Sequence, residues 1–380
     1  MKILAVTGTR ADWGLLVPVL DLLRDDLRFD LEIVATGQHT VGDSDSINAI
    51  STDGHKLNYV VNMDLSADDP ATIARGMGAA TAGIGKVIEV AKPNLLLVLG
   101  DRYEILAAVL AAVVAKVPIA HLCGGDITEG AIDDSIRHAL TKLSALHFVT
   151  NTDSAARVVQ MGENPAHVYN VGSTGIDRIK QVQTMGRAEF FESVRLAPKE
   201  RNFIITFHPA TLSSDSLKHA EAMLEALTEF SDCGLIFTGS NADPGAREID
   251  NLIKDYVRKR ENAVFIASLG SRRYFSALRH CNLVIGNSSS GLMEAPSFQI
   301  PTINIGDRQA RRPRAESVVD CAPKSDAIAA AIQAGLGMNC QFVQSPYGDG
   351  AAAPRIVSVL GALGSPVGLV RKSFKDRFYE

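Results

Sequence analysis

The chain has 380 residues, 46% apolar and 21% charged, enough for two or three domains and for a core that needs no covalent staples. Its net charge of −5 gives no general attraction to nucleic acid or to an anionic membrane, so any phosphate binding has to be local. No run approaches the ~20 apolar residues of a membrane span. The opening Met1 to Val6 is too short for a signal peptide and leads into a charged turn. Cys123, Cys233, Cys281, Cys321 and Cys340 are scattered and never in CxxC spacing. They read as reduced thiols, not as a disulfide frame or a zinc site, and the compartment expected is the cytoplasm.

Short apolar runs alternate with helix-like segments, the grammar of parallel sheets covered on both faces. Residues 2–7 read as a strand, 15–23 as the helix after its turn, and 31–36 as the next strand. A strand over 94–99 turns at Gly100-Asp101-Arg102 into an Ala/Val-rich helix over 105–115. A strand at 118–122, a helix at 132–144 and a strand at 146–150 follow. The second half repeats the pattern. A strand at 203–207 stops at His208-Pro209, a helix covers 217–230, and a strand at 235–238 ends at Gly239-Ser240-Asn241. Further strands are expected at 263–266 and 283–285.

Residues 94–121 and 282–304 both run strand, glycine turn, helix, proline, strand, which suggests two related halves, although all βαβ units share part of that pattern. The expected division is a first domain over 1–172 and a second over 173–359, with the tail 360–380, amphipathic and charged over 369–380, packing back on the first. Residues 345–354, rich in Gly, Pro and Ala, read as a loop.

Ligands of open α/β sheets bind beyond the carboxyl ends of strands. Here those ends carry Gly8 to Gly14 with Arg10, Gly100-Asp101-Arg102, His121 to Asp126, His208-Pro209, Gly239-Ser240-Asn241 and Gly286 to Gly291. The last, Gly-Asn-Ser-Ser-Ser-Gly with Glu294 close behind, gathers amides and hydroxyls where a diphosphate could approach a helix start. Plain N-capping explains one of its serines, not an asparagine and three serines between two glycines. Arg308, Arg311, Arg312 and Arg314 form a charge run, ordinarily a solvated loop. It follows a strand end at Gly306-Asp307, which makes Arg308 the ligand contact expected. Asp101, Asp126, Glu129, Asp133 and Asp134 are the candidate proton-transfer acids. One of Asp133 and Asp134 is expected only to begin the helix at 132, and Asp101 beside Arg102 fits a structural ion pair as well as a catalytic acid. No Walker motif, GxGxxG, HExxH or compact His/Asp cluster is present, so no nucleotide cofactor and no metal are expected.

The chain resembles the hydrolysing UDP-N-acetylglucosamine 2-epimerases, in their bacterial sialic-acid-pathway branch. The motifs that carry the likeness are Gly8-Thr9-Arg10-Ala11-Asp12, Gly100-Asp101-Arg102-Tyr103-Glu104, Ile132-Asp133-Asp134-Ser135-Ile136-Arg137-His138, Phe207-His208-Pro209, Gly239-Ser240-Asn241-Ala242-Asp243, Gly286 to Gly291, and Ile303 to Gln309. They stand in the family's order over nearly the whole chain. The resemblance implies a GT-B fold of two Rossmann-like domains with parallel sheets and an interdomain cleft. It also implies a homodimer or homotetramer without cofactor, and removal of the proton at the sugar's second carbon as UDP leaves, giving a glycal that is then hydrated. Carried over, Arg10, His208, Asn241, Ser288, Ser289, Ser290, Glu294 and Arg308 would hold UDP, while Asp101, Arg102 and Asp133 would face the sugar. One position departs. Where some members carry a Glu assigned acid/base work, this chain has Cys123, and Asp126 is the nearest carboxylate to take its place. The competing readings are an epimerase of UDP-2,4-diacetamido-2,4,6-trideoxyglucose, a non-hydrolysing epimerase, a glycosyltransferase, and a catalytically silent UDP-sugar sensor.

Overall fold

The computed structural model describes residues 1–40, 45–63, 69–128, 132–209, 215–240 and 245–376. Two compact units make up the chain, one of residues 1–178 with 350–380 and one of residues 179–349. Each is an α/β layer structure on an all-parallel sheet.

In the first unit, β1 (Lys2–Thr7), β2 (Asp30–Ala35), β3 (Tyr59–Val60), β4 (Leu95–Leu99), β5 (Ile119–Leu122), β6 (Leu146–Val149) and β7 (Val168–Asn170) lie in the order 3-2-1-4-5-6-7. The run Leu-Leu-Leu-Val-Leu of β4 is buried throughout because both faces are covered. Leu95, Leu97 and Leu99 pack with the helices Arg10–Asp25 and Ala352–Ala362, and Leu96 and Val98 with the helices Pro70–Ala91 and Tyr103–Val114.

The helix after β1 starts earlier than expected, at Arg10, because Thr9 and Asp12 form a capping box. The 22-residue helix Pro70–Ala91, absent from the sequence reading, starts on an Asp69 side chain that accepts from the amides of Ala71 and Thr72, with proline in first position. Residues 350–380 rejoin the first unit before residue 360, the expected crossing. Asp177 fastens them there, accepting from the amides of Ala352 at 2.9 Å and Ala353 at 2.6 Å. Farther along, Lys372 reaches the buried Glu163 at 2.7 Å and the ring of Phe374 covers Gly162.

In the second unit, β8 (Asn202–Thr206), β9 (Gly234–Thr238), β10 (Ala263–Ile266), β11 (Leu283–Gly286), β12 (Thr302–Ile305) and β13 (Val318–Cys321) lie in the order 10-9-8-11-12-13. Counted from its own first strand this is 3-2-1-4-5-6, the order of the first unit's leading strands. The two similar segments noted above thus occupy equivalent places, as β4–β5 and β11–β12. The helix expected over 217–230 ends at Ala226, and a 3-10 turn, Leu227–Phe230, completes the segment. In both sheets the strand order reverses beside the first strand, between β1 and β4 and between β8 and β11. These are the places where open sheets take ligands.

Among the described residues no helix is long and apolar enough to cross a membrane.

Candidate active site

At the reversal in the second unit, β8 runs out into Phe207 and His208 while β11 ends at Gly286, which has a φ of +134°. A side chain at Gly286 would run into the Thr206 backbone, so this turn admits only glycine. Asn287 then braces the two strand ends. The amide of His208 donates to its Oδ1 at 2.7 Å, and its Nδ2 donates to the His208 carbonyl at 2.8 Å. Arg308 and Gln309 donate to the Asn287 carbonyl at 3.2 and 2.9 Å, which places Arg308 against the serine turn.

A cavity of about 440 Å³ opens here, within the usual range for small-ligand sites, lined by Thr206, His208, Ser240, Ser268, Tyr274, Ser288, Ser290 and Glu294 among others. Glu294 Oε2 is buried without a hydrogen-bond partner, at a typical cost of about 1–3 kcal/mol, and the buried Ser290 Oγ lies beside the Glu294 carboxyl. Burial also raises the Glu294 carboxyl above its ordinary value.

Two expectations are corrected at this turn. The helix it opens is one turn long, Ser290–Met293, so a helix dipole supplies little; donors here are hydroxyls and local amides. Capping accounts for little either, since Ser289 makes no cap bond and Ser288 Oγ accepts only a 3.4 Å contact from the Ser290 amide. Ser289 and Arg308 do not line the cavity. Asn241 and Glu129 lie outside the described residues.

At the reversal in the first unit, Arg137 on the helix Ile132–Leu143 gathers the turns. It donates to Asp101 Oδ2, to the Asp126 carbonyl at 2.9 Å and to Thr128 Oγ1 at 2.9 Å. Asp126 Oδ1 accepts from Thr150 Oγ1 at 2.8 Å and Ser154 Oγ at 2.6 Å, so its carboxylate is aimed by two hydroxyls. Asp134 is the structural member of its pair: it accepts from the Thr128 amide at 2.6 Å and lies 3.6 Å from Arg137. Asp133 has no such bond among the described residues, and its charge reaches Arg102. Asp101, Asp126, Asp133 and Arg102 are thus brought to one strand-end cluster. Arg10 is exposed on the first turn of its helix.

Cys123 has a φ of +65°, and burial pushes its thiol well above the ordinary range. A thiol held protonated in this way is a packing group, not the proton carrier that the family's glutamate would be.

Several contributors had no role assigned to them from the sequence, although His121 and Arg137 lay within segments already singled out. His121 is wholly buried and donates from Nε2 to the Gly100 carbonyl at 2.7 Å, holding the turn before Asp101. Thr36 to His39, at the end of β2, brings His39 Nε2 within 3.0 Å of Thr7 Oγ1. The cavity wall from Ala267 to Phe275 follows β10. The glycines and small polar residues after β2 and β10 were the available signal. For Arg137 it was the four-residue spacing from Asp133, which puts both on one helix face.

The profile of the UDP-N-acetylglucosamine 2-epimerase family matches residues 21–361. A Campylobacter jejuni GDP/UDP-N,N'-diacetylbacillosamine 2-epimerase (hydrolyzing) is 34% identical over 84% of this chain and 84% of its own. A Legionella pneumophila UDP-N,N'-diacetylbacillosamine 2-epimerase (hydrolyzing) is 32% identical over 94% and 95%. A Neisseria meningitidis UDP-N-acetylglucosamine 2-epimerase is 28% identical over 87% and 86%. The crystal structure of UDP-GlcNAc 2-epimerase from Neisseria meningitidis bound to UDP-GlcNAc superposes with a TM-score of 0.75 at 20% identity, covering 95% of this chain and 99% of that one. The two parallel sheets are accordingly those of the GT-B-like fold. With the match spanning most of both units, the chain belongs to the UDP-N-acetylglucosamine 2-epimerase family, as an enzyme of its hydrolysing UDP-sugar 2-epimerase group.

Proposed function

We propose that the enzyme converts UDP-N-acetylglucosamine and water to UDP and N-acetylmannosamine. The observation that carries this reading is the cavity at the β8/β11 reversal, lined by Ser288, Ser290 and His208, where Glu294 Oε2 is buried without a hydrogen-bond partner. Buried polar atoms left unsatisfied by the protein are suited to a polar ligand. In this assignment Ser288, Ser289, Ser290, His208, Asn241 and Arg308 hold the diphosphate side of UDP, with Arg10 as a further contact, and Glu294 takes ribose hydroxyls.

Asp101, Asp126 and Asp133 supply the carboxylates for the sugar. One takes the proton from the second carbon as the bond from the first carbon to the diphosphate oxygen breaks, leaving a double bond between the two carbons. Water then adds its oxygen to the first carbon, and a proton returns to the second carbon on the opposite face. Arg102 and the serine-turn donors offset the charge that develops on the departing diphosphate.

A second reading is suggested by two of the relatives: those named for diacetylbacillosamine are 34% and 32% identical, against 28% for the meningococcal UDP-N-acetylglucosamine enzyme and 34% for an Escherichia coli polysialic acid biosynthesis protein P7. Incubation with each UDP-sugar in deuterated water, with EDTA and no acceptor, separates the possibilities. UDP with N-acetylmannosamine deuterated at the second carbon supports the first reading. Turnover of the 2,4-diacetamido-trideoxy sugar alone supports the second, and UDP-N-acetylmannosamine as product refutes hydrolysis. Asp101→Asn is expected to abolish turnover while UDP still binds; retained activity removes Asp101 from the mechanism.

A further inference from the structure

We propose that Glu104 is a positioning residue of the reaction, its buried carboxylate holding the Arg102 guanidinium in the orientation in which it meets the substrate. The inference rests on the reading of Arg102 as a substrate contact. Glu104 stands in the first turn of the helix Tyr103–Val114, directly after β4, and is wholly buried. Its Oε1 accepts from Arg102 Nε at 2.7 Å, and its Oε2 is buried with no hydrogen-bond partner.

Two strand-end turns are shaped around this side chain. Any side chain at Gly8, after β1, would strike Glu104, and a Cβ at Gly37, after β2, would lie 2.8 Å from its Cγ. The site is otherwise unfavourable to a carboxylate: burial raises its pKa, and the charge of Asp12 acts in the same direction. A buried ion pair is a poor stabiliser compared with an apolar side chain of similar size. Stability therefore does not explain a glutamate here.

What the carboxylate does achieve is local. By engaging Nε it fixes the plane of the Arg102 guanidinium, and the arginine side chain keeps 32% of its surface exposed. The terminal nitrogens of Arg102 are left presented, apart from a 3.5 Å contact from Nη2 to the Tyr103 hydroxyl. Planar donors aimed in advance are what recognition of a developing anion requires.

The test uses Glu104→Met, Glu104→Gln and Arg102→Ala in the full-length enzyme, with steady-state kinetics, UDP binding by calorimetry and thermal melting. Glu104→Met is expected to melt no lower than the parent and to bind UDP unchanged. It should lose about 100-fold in kcat/KM, chiefly in kcat, as a misaimed catalytic group does. Glu104→Gln keeps the acceptor for Nε and should recover at least about tenfold of that loss. If Glu104→Met keeps parental kcat/KM while Arg102→Ala is inactive, the positioning role is wrong and the assignment of Arg102 stands. If Arg102→Ala is fully active, both fall. If Glu104→Met melts lower, loses UDP binding in parallel and is not rescued by Gln, Glu104 is a structural residue and the proposal is overturned.

Discussion

His121 makes a quantitative prediction about the unit that carries the carboxylates. It is wholly buried, and burial holds its imidazole at about 4 against an ordinary 6.5; the bond to the Gly100 carbonyl opposes this only in part. The folded state therefore resists a proton that the unfolded chain accepts, and stability present above the unfolded value is lost as pH falls toward the folded one. A gap of about 2.5 units corresponds to about 3 kcal/mol in all, of which about 2 kcal/mol is lost between about pH 7 and pH 5. The single tryptophan, Trp13, is buried in the same unit, so its emission reports this unit's unfolding. Urea titrations followed by Trp13 across that range should show a stability slope near 1 kcal/mol per pH unit from His121, to which the neighbouring His147, also lowered by burial, adds. His121→Gln removes the titration while offering an amide donor toward Gly100. Its slope should fall by the His121 share whatever its absolute stability. An unchanged slope would refute the argument.

Other consequences can be checked separately. Gly286→Ala should abolish UDP binding in calorimetry while leaving Trp13-monitored unfolding of the first unit unaltered, because the new Cβ meets only the Thr206 backbone. Cys123→Ser should keep kcat/KM within about threefold, as expected where the group removed is a protonated packing thiol. Native Cys123 should likewise resist iodoacetamide near neutral pH. Burial alone would raise the Glu163 carboxyl, yet bonds from His147, Lys142 and Lys372 hold it at about 2. Its contribution is present above the ordinary carboxylate range and fades as pH falls toward that value. Lys372→Met should lower stability near neutral pH, flatten the loss of stability on acidification because Glu163 is less depressed, and speed hydrogen exchange at the Lys375 amide, which donates to the Gly162 carbonyl.

Strands such as β1, β4 and β11 were legible because a strand covered on both faces is an unbroken apolar run bounded by turn residues. The helix Pro70–Ala91 was not, because its buried face begins with Thr72, Gly76 and Ala80, and its large apolar residues, Ile84, Val87 and Ile88, come only near its end. The short edge strands β3 and β7 carry too few residues for a period to show. The serine turn was readable as a candidate site because small polar residues followed a strand directly. The partners of Asp101 were not, since Arg137 lies 36 positions away and His121, which holds the preceding glycine, 21 from it. Local sequence names the residues at each strand end; which of them meet depends on the order of the strands.

The Asp177 contacts bear on how such a molecule can be rebuilt. The chain leaves the first unit at Arg178 and returns at Gly350, and the carboxylate just before the departure receives the first amides after the return. Residues 179–349 are thus a cassette whose two ends are tied off at a single knot. Replacing that cassette by a short glycine-rich bridge asks little of the loop-closure entropy, since the ends already meet. The same knot would let a different second unit be spliced in without redrawing the first unit's sheet.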